Sequence, residues 1–170
     1  MPFAELLRAT VFLTAGGATA LGVVAVIGVQ DAENTTVLLI GAAWWLVAAW
    51  IGLSLGGAER SADSMRETLA GARTATSSSP GVSMPSPGRV AWGRLSPILA
   101  AVGLAGALGV IFPEVAMVGS GYALLVALAW RNRESAVLAI EGRDGVRFLV
   151  ESASPLKPVK LVRSPGFRAF

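Results

Sequence analysis

The sequence predicts an all-α membrane protein with four transmembrane helices, followed by a small cytoplasmic β-hairpin and an extended basic tail. Three observations favour this fold class. Of the 170 residues 54% are hydrophobic and only 15% are charged, a composition outside the range of ordinary soluble domains. Four apolar stretches carry no charged residue, and the basic residues are confined to alternate connections between them.

The stretch Val37–Leu55 is the clearest of the four. Its nineteen residues contain no charge, and this length matches the hydrocarbon thickness of a bilayer. Nine of them are Val, Leu or Ile, which gives an insertion free energy of about −3 to −5 kcal/mol. This stretch is therefore predicted to cross the membrane.

The first span is predicted over Ala9–Val29, twenty-one residues without a charge. A secretory signal core has only about 7 to 15 apolar residues, so we expect a retained span and not a cleaved signal. The connection that follows it is short and acidic, with Asp31 and Glu33. The first two helices are therefore expected to form a tight hairpin.

The third span is predicted to begin near Trp92 and Arg94 and to end at Phe112. Ser96 is placed to cap this helix, and Pro97 would occupy its first position, where a missing N–H costs little.

The fourth span, Val115–Trp130, follows a short turn at Pro113 and Glu114. Its sixteen residues rise only ~24 Å. We therefore expect the helix to continue past Trp130, with Arg131 and Arg133 extending their charged groups to the interface.

The chain between the two pairs of spans changes in composition. A mixed-charge part favours a short helix with an apolar row at Ala58, Ala62, Met65 and Leu69, and a Ser/Pro/Gly tract favours a flexible linker. The predicted units are 1–57, the first helical hairpin; 58–93, the cytoplasmic loop; 94–133, the second hairpin; and 134–170, the cytoplasmic β-hairpin and tail.

The two hairpins resemble one another in sequence. Residues 20–24, ALGVV, parallel residues 107–111, ALGVI, and the second helix of each pair carries Ala-Trp toward its end, at residues 49–50 and 129–130. A tandem repeat of a two-span unit would be related by an axis along the membrane normal. Chance similarity among Ala-, Gly- and Val-rich helices is the alternative.

The basic residues predict the orientation. With both termini inside, all fourteen Lys and Arg lie on the cytoplasmic side, and the outer turns hold only Asp31, Glu33 and Glu114. The positive-inside rule favours this arrangement. The composition, rich in Ala, Gly, Val and Arg, indicates a bacterial chain, and hence a multi-pass protein of the inner (plasma) membrane.

The C-terminal region is expected to be a separate cytoplasmic unit. Val, Ile and Phe around residues 142–145, GRDG, favour a β-hairpin. The following tail has three prolines, which argue against a helix or a central strand. It carries Lys157, Lys160, Arg163 and Arg168 interleaved with apolar residues. Two interpretations stay open: contact with anionic lipid, or docking of a partner protein.

Trp44 and Trp45 lie at the middle of the second span, away from the interfacial belt that Trp usually occupies. Helical spacing places Trp45 on the same side as Gly41 and Gly52. The indole is then expected in a groove of the bundle, with Thr14, Thr19, Ser120 or a backbone carbonyl as its acceptor. It would serve either internal packing or the wall of a ligand or lipid pocket.

Small residues recur four apart in each span, including the row of Ala48, Gly52 and Gly56. Such rows permit close backbone approach, within one chain or between copies in a homo-oligomer. Glu114 is the acidic residue nearest to spans three and four. It is a candidate for an ion site and is otherwise expected in the outer turn.

The composition argues against catalysis. There is no His or Cys, no charge within a span, and no metal-ligand or phosphate-cradling motif. We therefore expect no enzyme activity, catalytic residue, metal or cofactor, and no nucleic-acid partner, because topology accounts for the basic excess. The favoured function is a structural or accessory membrane subunit. The alternative is an oligomeric transporter or channel for a neutral or hydrophobic solute.

Overall fold

The computed structural model describes residues 1–30, 35–74, 87–150 and 161–165. This part of the chain forms six helices and three short strands. The elements are α1 (Phe3–Gln30), α2 (Thr35–Leu55), α3 (Ala58–Ala70), β1 (Arg73–Thr74), α4 (Pro87–Ile111), α5 (Pro113–Trp130), α6 (Arg133–Asp144), β2 (Val146–Val150) and β3 (Leu161–Pro165).

Four helices are long and apolar enough to cross a membrane, as the sequence predicts. They are α1, α2, α4 and α5, and the fourth candidate span continues through α6 to Asp144. We treat α5 as the spanning part, because α6 carries five charged residues within its twelve positions.

Helix α5 is the centre of the bundle and packs against α1, α2 and α4. The backbones of α1 and α2 approach each other at few positions, and the turn of the predicted tight hairpin, residues 31–34, lies outside the described residues. The small-residue face of α2 explains why this helix packs mainly on α5. Gly41, Ala48 and Gly52 are all buried, and this face fits α5 more closely than it fits α1.

Helix α4 begins at Pro87, well before the predicted cap at Ser96. Pro97 lies inside the helix, so the prediction that it starts the helix is wrong. Proline lacks the N–H that would bond to the carbonyl four residues earlier. The Ser96 hydroxyl instead donates to the Gly93 carbonyl oxygen at 3.4 Å, and such substitution by a side chain makes an internal proline tolerable in an apolar helix.

Helix α3 confirms the short helix predicted after the second span. Its buried face consists of Ser61, Met65 and Leu69, whereas Ala58 is exposed. The apolar row therefore continues through Ser61 and not through Ala58.

The predicted β-hairpin is only half correct. Its first strand is wrong, because Arg133–Asp144 forms α6. Gly145 has φ +63°, and its N–H bonds to the Glu141 carbonyl oxygen. A glycine in this left-handed conformation ends a helix as readily as it makes a hairpin turn. The predicted second strand is present as β2, Val146–Val150.

Strand β2 pairs antiparallel with β3, and β1 pairs parallel with the other side of β3. The order β1-β3-β2 makes β3 the central strand, so the prediction that the tail excludes a central strand is wrong. The run Leu161–Ser164 contains no proline, and Pro165 stands at the end of the pairing. Prolines at strand ends leave the ladder intact.

We call the unit formed by residues 1–7, α3, α6 and the sheet the terminal module. Its buried residues are Phe3, Ala4, Leu6, Leu7, Met65, Leu69, Val137, Ile140, Phe148, Val150 and Leu161, and Val90 of α4 packs into the same core. The N-terminal residues also extend the sheet, since the Val150 N–H donates to the Met1 carbonyl oxygen at 3.0 Å. Pro2 pairs with Leu149. The outer edge of β2 is thereby covered.

The described arginine side chains all lie at the end of the bundle that carries the terminal module, which we call the basic end. Several predictions fall outside the described residues. They concern Asp31, Glu33, Lys157, Lys160, Arg168, and residues 75–86 of the predicted linker.

Candidate functional site

The two tryptophans at mid-length of α2 both bond to α5. The Trp45 Nε1–H donates to the Met117 carbonyl oxygen at 3.0 Å, and the Trp44 Nε1–H donates to the Val118 carbonyl oxygen at 3.3 Å. An indole N–H among apolar side chains needs an acceptor. Backbone carbonyls, one of the expected kinds of partner, supply it here. Both indoles are thereby held in fixed positions against α5.

Gly121 makes room for the Trp44 indole. A Cβ at this position would collide with the Trp44 ring, so only glycine allows the indole to reach α5. Sequence reasoning did not single out Gly121. The signal that could have found it is a second glycine two residues after Gly119 in the same helix, although Gly119 itself faces Leu21 and Ala105 and not the tryptophans.

Gly52 serves packing within the chain. A Cβ there would lie 2.8 Å from the Leu128 Cβ and 2.9 Å from the Leu125 carbonyl oxygen, and a Cβ at Gly56 would collide with the Leu128 backbone. Ala48 is fully buried. The face of α2 that carries this row is therefore occupied by α5 and is not available to a second copy.

A cleft of about 190 Å³ opens between α1 and α2, with α5 as its floor; we call it the α1–α2 cleft. It is lined by Ala18, Thr19, Gly22, Trp45, Ser120 and Leu124. The Thr19 and Ser120 hydroxyls donate to carbonyls of their own helices. Their lone pairs remain as acceptors. The row of Ala18 and Gly22 therefore lines this cleft and does not pack closely against another helix.

A second cleft, of about 170 Å³, lies between α2 and α5 at the end of the bundle opposite the basic end; we call it the Glu114 cleft. It is lined by Val37, Ile40, Gly41, Trp44, Glu114, Met117 and Val118. Glu114 is exposed in the first turn of α5. It is the one charged side chain at this end among the described residues, and none of the described cations forms an ion pair with it.

Aromatic and basic side chains border the bundle at the basic end. The Arg133 guanidinium lies 4.4 Å from the Trp130 ring centre, which is a cation–π distance. Trp50 and Trp92 are 77% and 69% exposed. Amphipathic rings at the end of apolar helices are typical of interfacial anchors.

Of the four basic tail residues predicted to make contacts, Arg163 is the one within the described residues. It lies in β3 opposite Phe148, and its Nη2 is 3.9 Å from an Asp144 carboxylate oxygen. The hydrogen bond from Arg143 and the nearby charges of both arginines hold the pKa of Asp144 below its ordinary value. Arg163 therefore helps to join the sheet to α6.

Comparison with protein-family models, curated proteins and solved structures gives no match for this chain. Within the described residues, no three His, Cys, Asp or Glu side chains are grouped so that they could hold a metal ion. The chemistry available at the two clefts is therefore apolar contact, with hydroxyl acceptors in one and a carboxylate in the other.

Proposed function

We propose that the chain is a multi-pass protein of the bacterial inner membrane, with both termini in the cytoplasm, and that it acts as an accessory subunit. In this proposal the four long helices hold the terminal module at the membrane surface, and the module binds a partner protein. The confinement of the described cations to one end of the bundle supports the orientation, because positively charged segments are retained in the cytoplasm.

The observation that carries this proposal is the separate core of the terminal module. Val137 is fully buried and Phe148 is 2% exposed, and they pack with the first two turns of α1. A simple anchor needs only the apolar helices. A packed unit built on their ends provides a rigid surface, and rigid surfaces reduce the entropy cost of binding a partner.

The outer face of the sheet offers such a surface. Phe148 and Val150 are buried, so alternation along the strand turns Arg147 and Leu149 to the other side. Leu149 lies opposite Val162 on the neighbouring strand, and both are partly exposed. An apolar pair beside an arginine is the type of composition found at interface cores, where apolar residues and Arg are enriched.

Site-specific photo-crosslinking in native membranes tests the proposal. A photoreactive residue at Leu149 is expected to give one discrete adduct of larger mass. The same residue at Leu104, which is 63% exposed on α4, is expected to give only lipid adducts. The substitution Val162→Asp should remove the adduct formed from position 149. An unchanged adduct in Val162→Asp, or equal adducts from both positions, would contradict the proposal.

A second candidate function, binding and transport of a neutral hydrophobic solute, is favoured by the α1–α2 cleft. A Cβ at Gly22 would meet nothing within 4 Å, so Gly22→Leu would fill the cleft without disturbing helix packing. In proteoliposomes this variant should abolish flux of a neutral dye, whereas Gly103→Leu, equally free of neighbours, should not. Absence of flux in the unmodified protein across a panel of such dyes would exclude this candidate.

A further inference from the structure

The Glu114 cleft has a carboxylate at one end and apolar walls along the rest of its length. It extends from Val37 to Trp44 along α2, seven residues or about 10 Å of helix. The carboxylate stands at the end of the bundle, and the walls formed by Ile40, Met117 and Val118 are apolar. A ligand that fits this shape has a small polar head and an extended apolar body.

The charge of the cleft indicates which polar head group a ligand would carry there. Glu114 is exposed, and the described arginines lie at the opposite end of the bundle. A carboxylate with none of the described cations beside it, at the boundary between polar and apolar surroundings, favours a cationic partner. A primary ammonium group suits it best, because each of its N–H groups can donate a charge-assisted hydrogen bond to the carboxylate.

The walls of the cleft indicate the apolar part of such a ligand and the route by which it enters. Ile40 is 65% exposed and Val118 is 48% exposed, so the cleft is open along the outside of the bundle. The Trp44 indole is held by its hydrogen bond to Val118 and forms a fixed wall. An acyl chain of a surrounding lipid can therefore enter sideways, and a preformed wall lowers the entropy cost of ordering it.

From this geometry we propose that the Glu114 cleft binds a phospholipid of the phosphatidylethanolamine class. Its ammonium group bonds to the Glu114 carboxylate, and the first part of one acyl chain lies along α2 and α5. A trimethylammonium head has no N–H to donate, and an anionic glycerol head is repelled by the carboxylate. The site therefore prefers ethanolamine over choline and glycerol heads. This inference rests on the membrane location given under the proposed function, but not on a partner protein.

Native mass spectrometry of the full chain in a mild detergent tests this binding. The protein is incubated with an equimolar mixture of phosphatidylethanolamine, phosphatidylcholine and phosphatidylglycerol of identical acyl chains. The ethanolamine lipid is expected to be retained about fivefold or more over each of the others. Glu114→Gln should bring the ethanolamine-to-choline ratio close to one. The matched control Glu59→Gln, an exposed acid in the first turn of α3, should leave the ratio unchanged.

A second variant distinguishes the contribution of the acyl chain to binding from that of the head group. Val118→Phe fills the cleft from its open side and should lower retention of all three lipids. Equal retention of ethanolamine and choline lipids by the unmodified protein would overturn the proposal, as would a preference that survives Glu114→Gln. Binding of dodecylamine without retention of the ethanolamine lipid would likewise overturn the lipid assignment. These measurements are independent of the photo-crosslinking experiment, so the failure of one proposal is distinguishable from the failure of the other.

Discussion

The indole Nε1 of Trp45 and the backbone carbonyl oxygen of Met117 are 3.0 Å apart, so a hydrogen bond joins the middle of α2 to the second turn of α5. Because α2 packs mainly on α5, this bond and that of Trp44 are polar links that orient the helix. Their loss is expected to affect the position of α2 more than that of any other helix.

Trp45→Phe removes this hydrogen bond and keeps an aromatic ring. The free energy of unfolding should fall by about 0.5 to 1.5 kcal/mol, the range for a hydrogen bond between apolar helices. Titration with a denaturing detergent, followed by circular dichroism, measures it. Trp50→Phe is the control, because Trp50 is 77% exposed. Equal losses in the two variants would show that the Met117 bond contributes nothing.

Gly121→Ala places a methyl group against the Trp44 ring. Overpacking of this kind costs about 1 to 3 kcal/mol, so the variant should unfold at lower denaturant and shift its tryptophan emission. Gly103→Ala on α4, where a Cβ would meet nothing within 4 Å, should be neutral or slightly stabilising. If both variants behaved alike, the close approach of α2 and α5 at this level would be refuted.

Gly145 and Gly142 should respond in opposite directions to the same substitution. Gly145 has φ +63° at the end of α6, so Gly145→Ala should cost about 1 to 2 kcal/mol. Gly142 lies within α6 with no neighbour to a Cβ, and Gly142→Ala should stabilise by up to about 1 kcal/mol. Thermal unfolding in detergent measures both. A β-hairpin at residues 142–145 would not produce this pair of signs.

The absence of cysteine allows the proposed orientation to be tested with single-cysteine variants. In intact cells, a membrane-impermeant maleimide should label Glu114→Cys. It should label Glu67→Cys, on an exposed position of α3, only after the membrane is permeabilised. Labelling of position 67 in intact cells would reverse the topology, and no labelling of position 114 after permeabilisation would show that this site is covered.

The long helices were predictable because the pattern that indicates each one lies within its own stretch of sequence. An uncharged stretch of sufficient length defines a span whatever its neighbours are. The side of α2 that carries Trp45 also follows from spacing alone. The helix that packs against this side does not follow from spacing. The fit between α2 and α5 depends on residues in both helices, such as Gly41 against the Met117 side chain. Shape matching between α2 and α5 therefore decides where α2 packs.

The terminal module was less predictable because its contacts are distant in sequence. The stretch before Gly145 contains Val137 and Ile140, and both are buried on one face of α6. The same residues had favoured a strand, since short apolar runs are ambiguous between the two structures. The true partner of β2 is β3, Leu161–Pro165, which follows after ten residues, so no tight two-residue turn marks this pairing in the sequence. The spacing placed Trp45 in a groove of the bundle, and Trp45 lines the α1–α2 cleft with Thr19 and Ser120; the extent of either cleft was not predictable, because it depends on where side chains of different helices fail to meet.

The contact between Met1 and Val150 has a consequence for synthesis of the chain. Residues 1–7 leave the ribosome long before residues 146–165, yet their buried positions lie against β2 and β3. Phe3, Leu6 and Leu7 share their core with Phe148, Val150 and Leu161, so this core is completed only after the last strand has been synthesised.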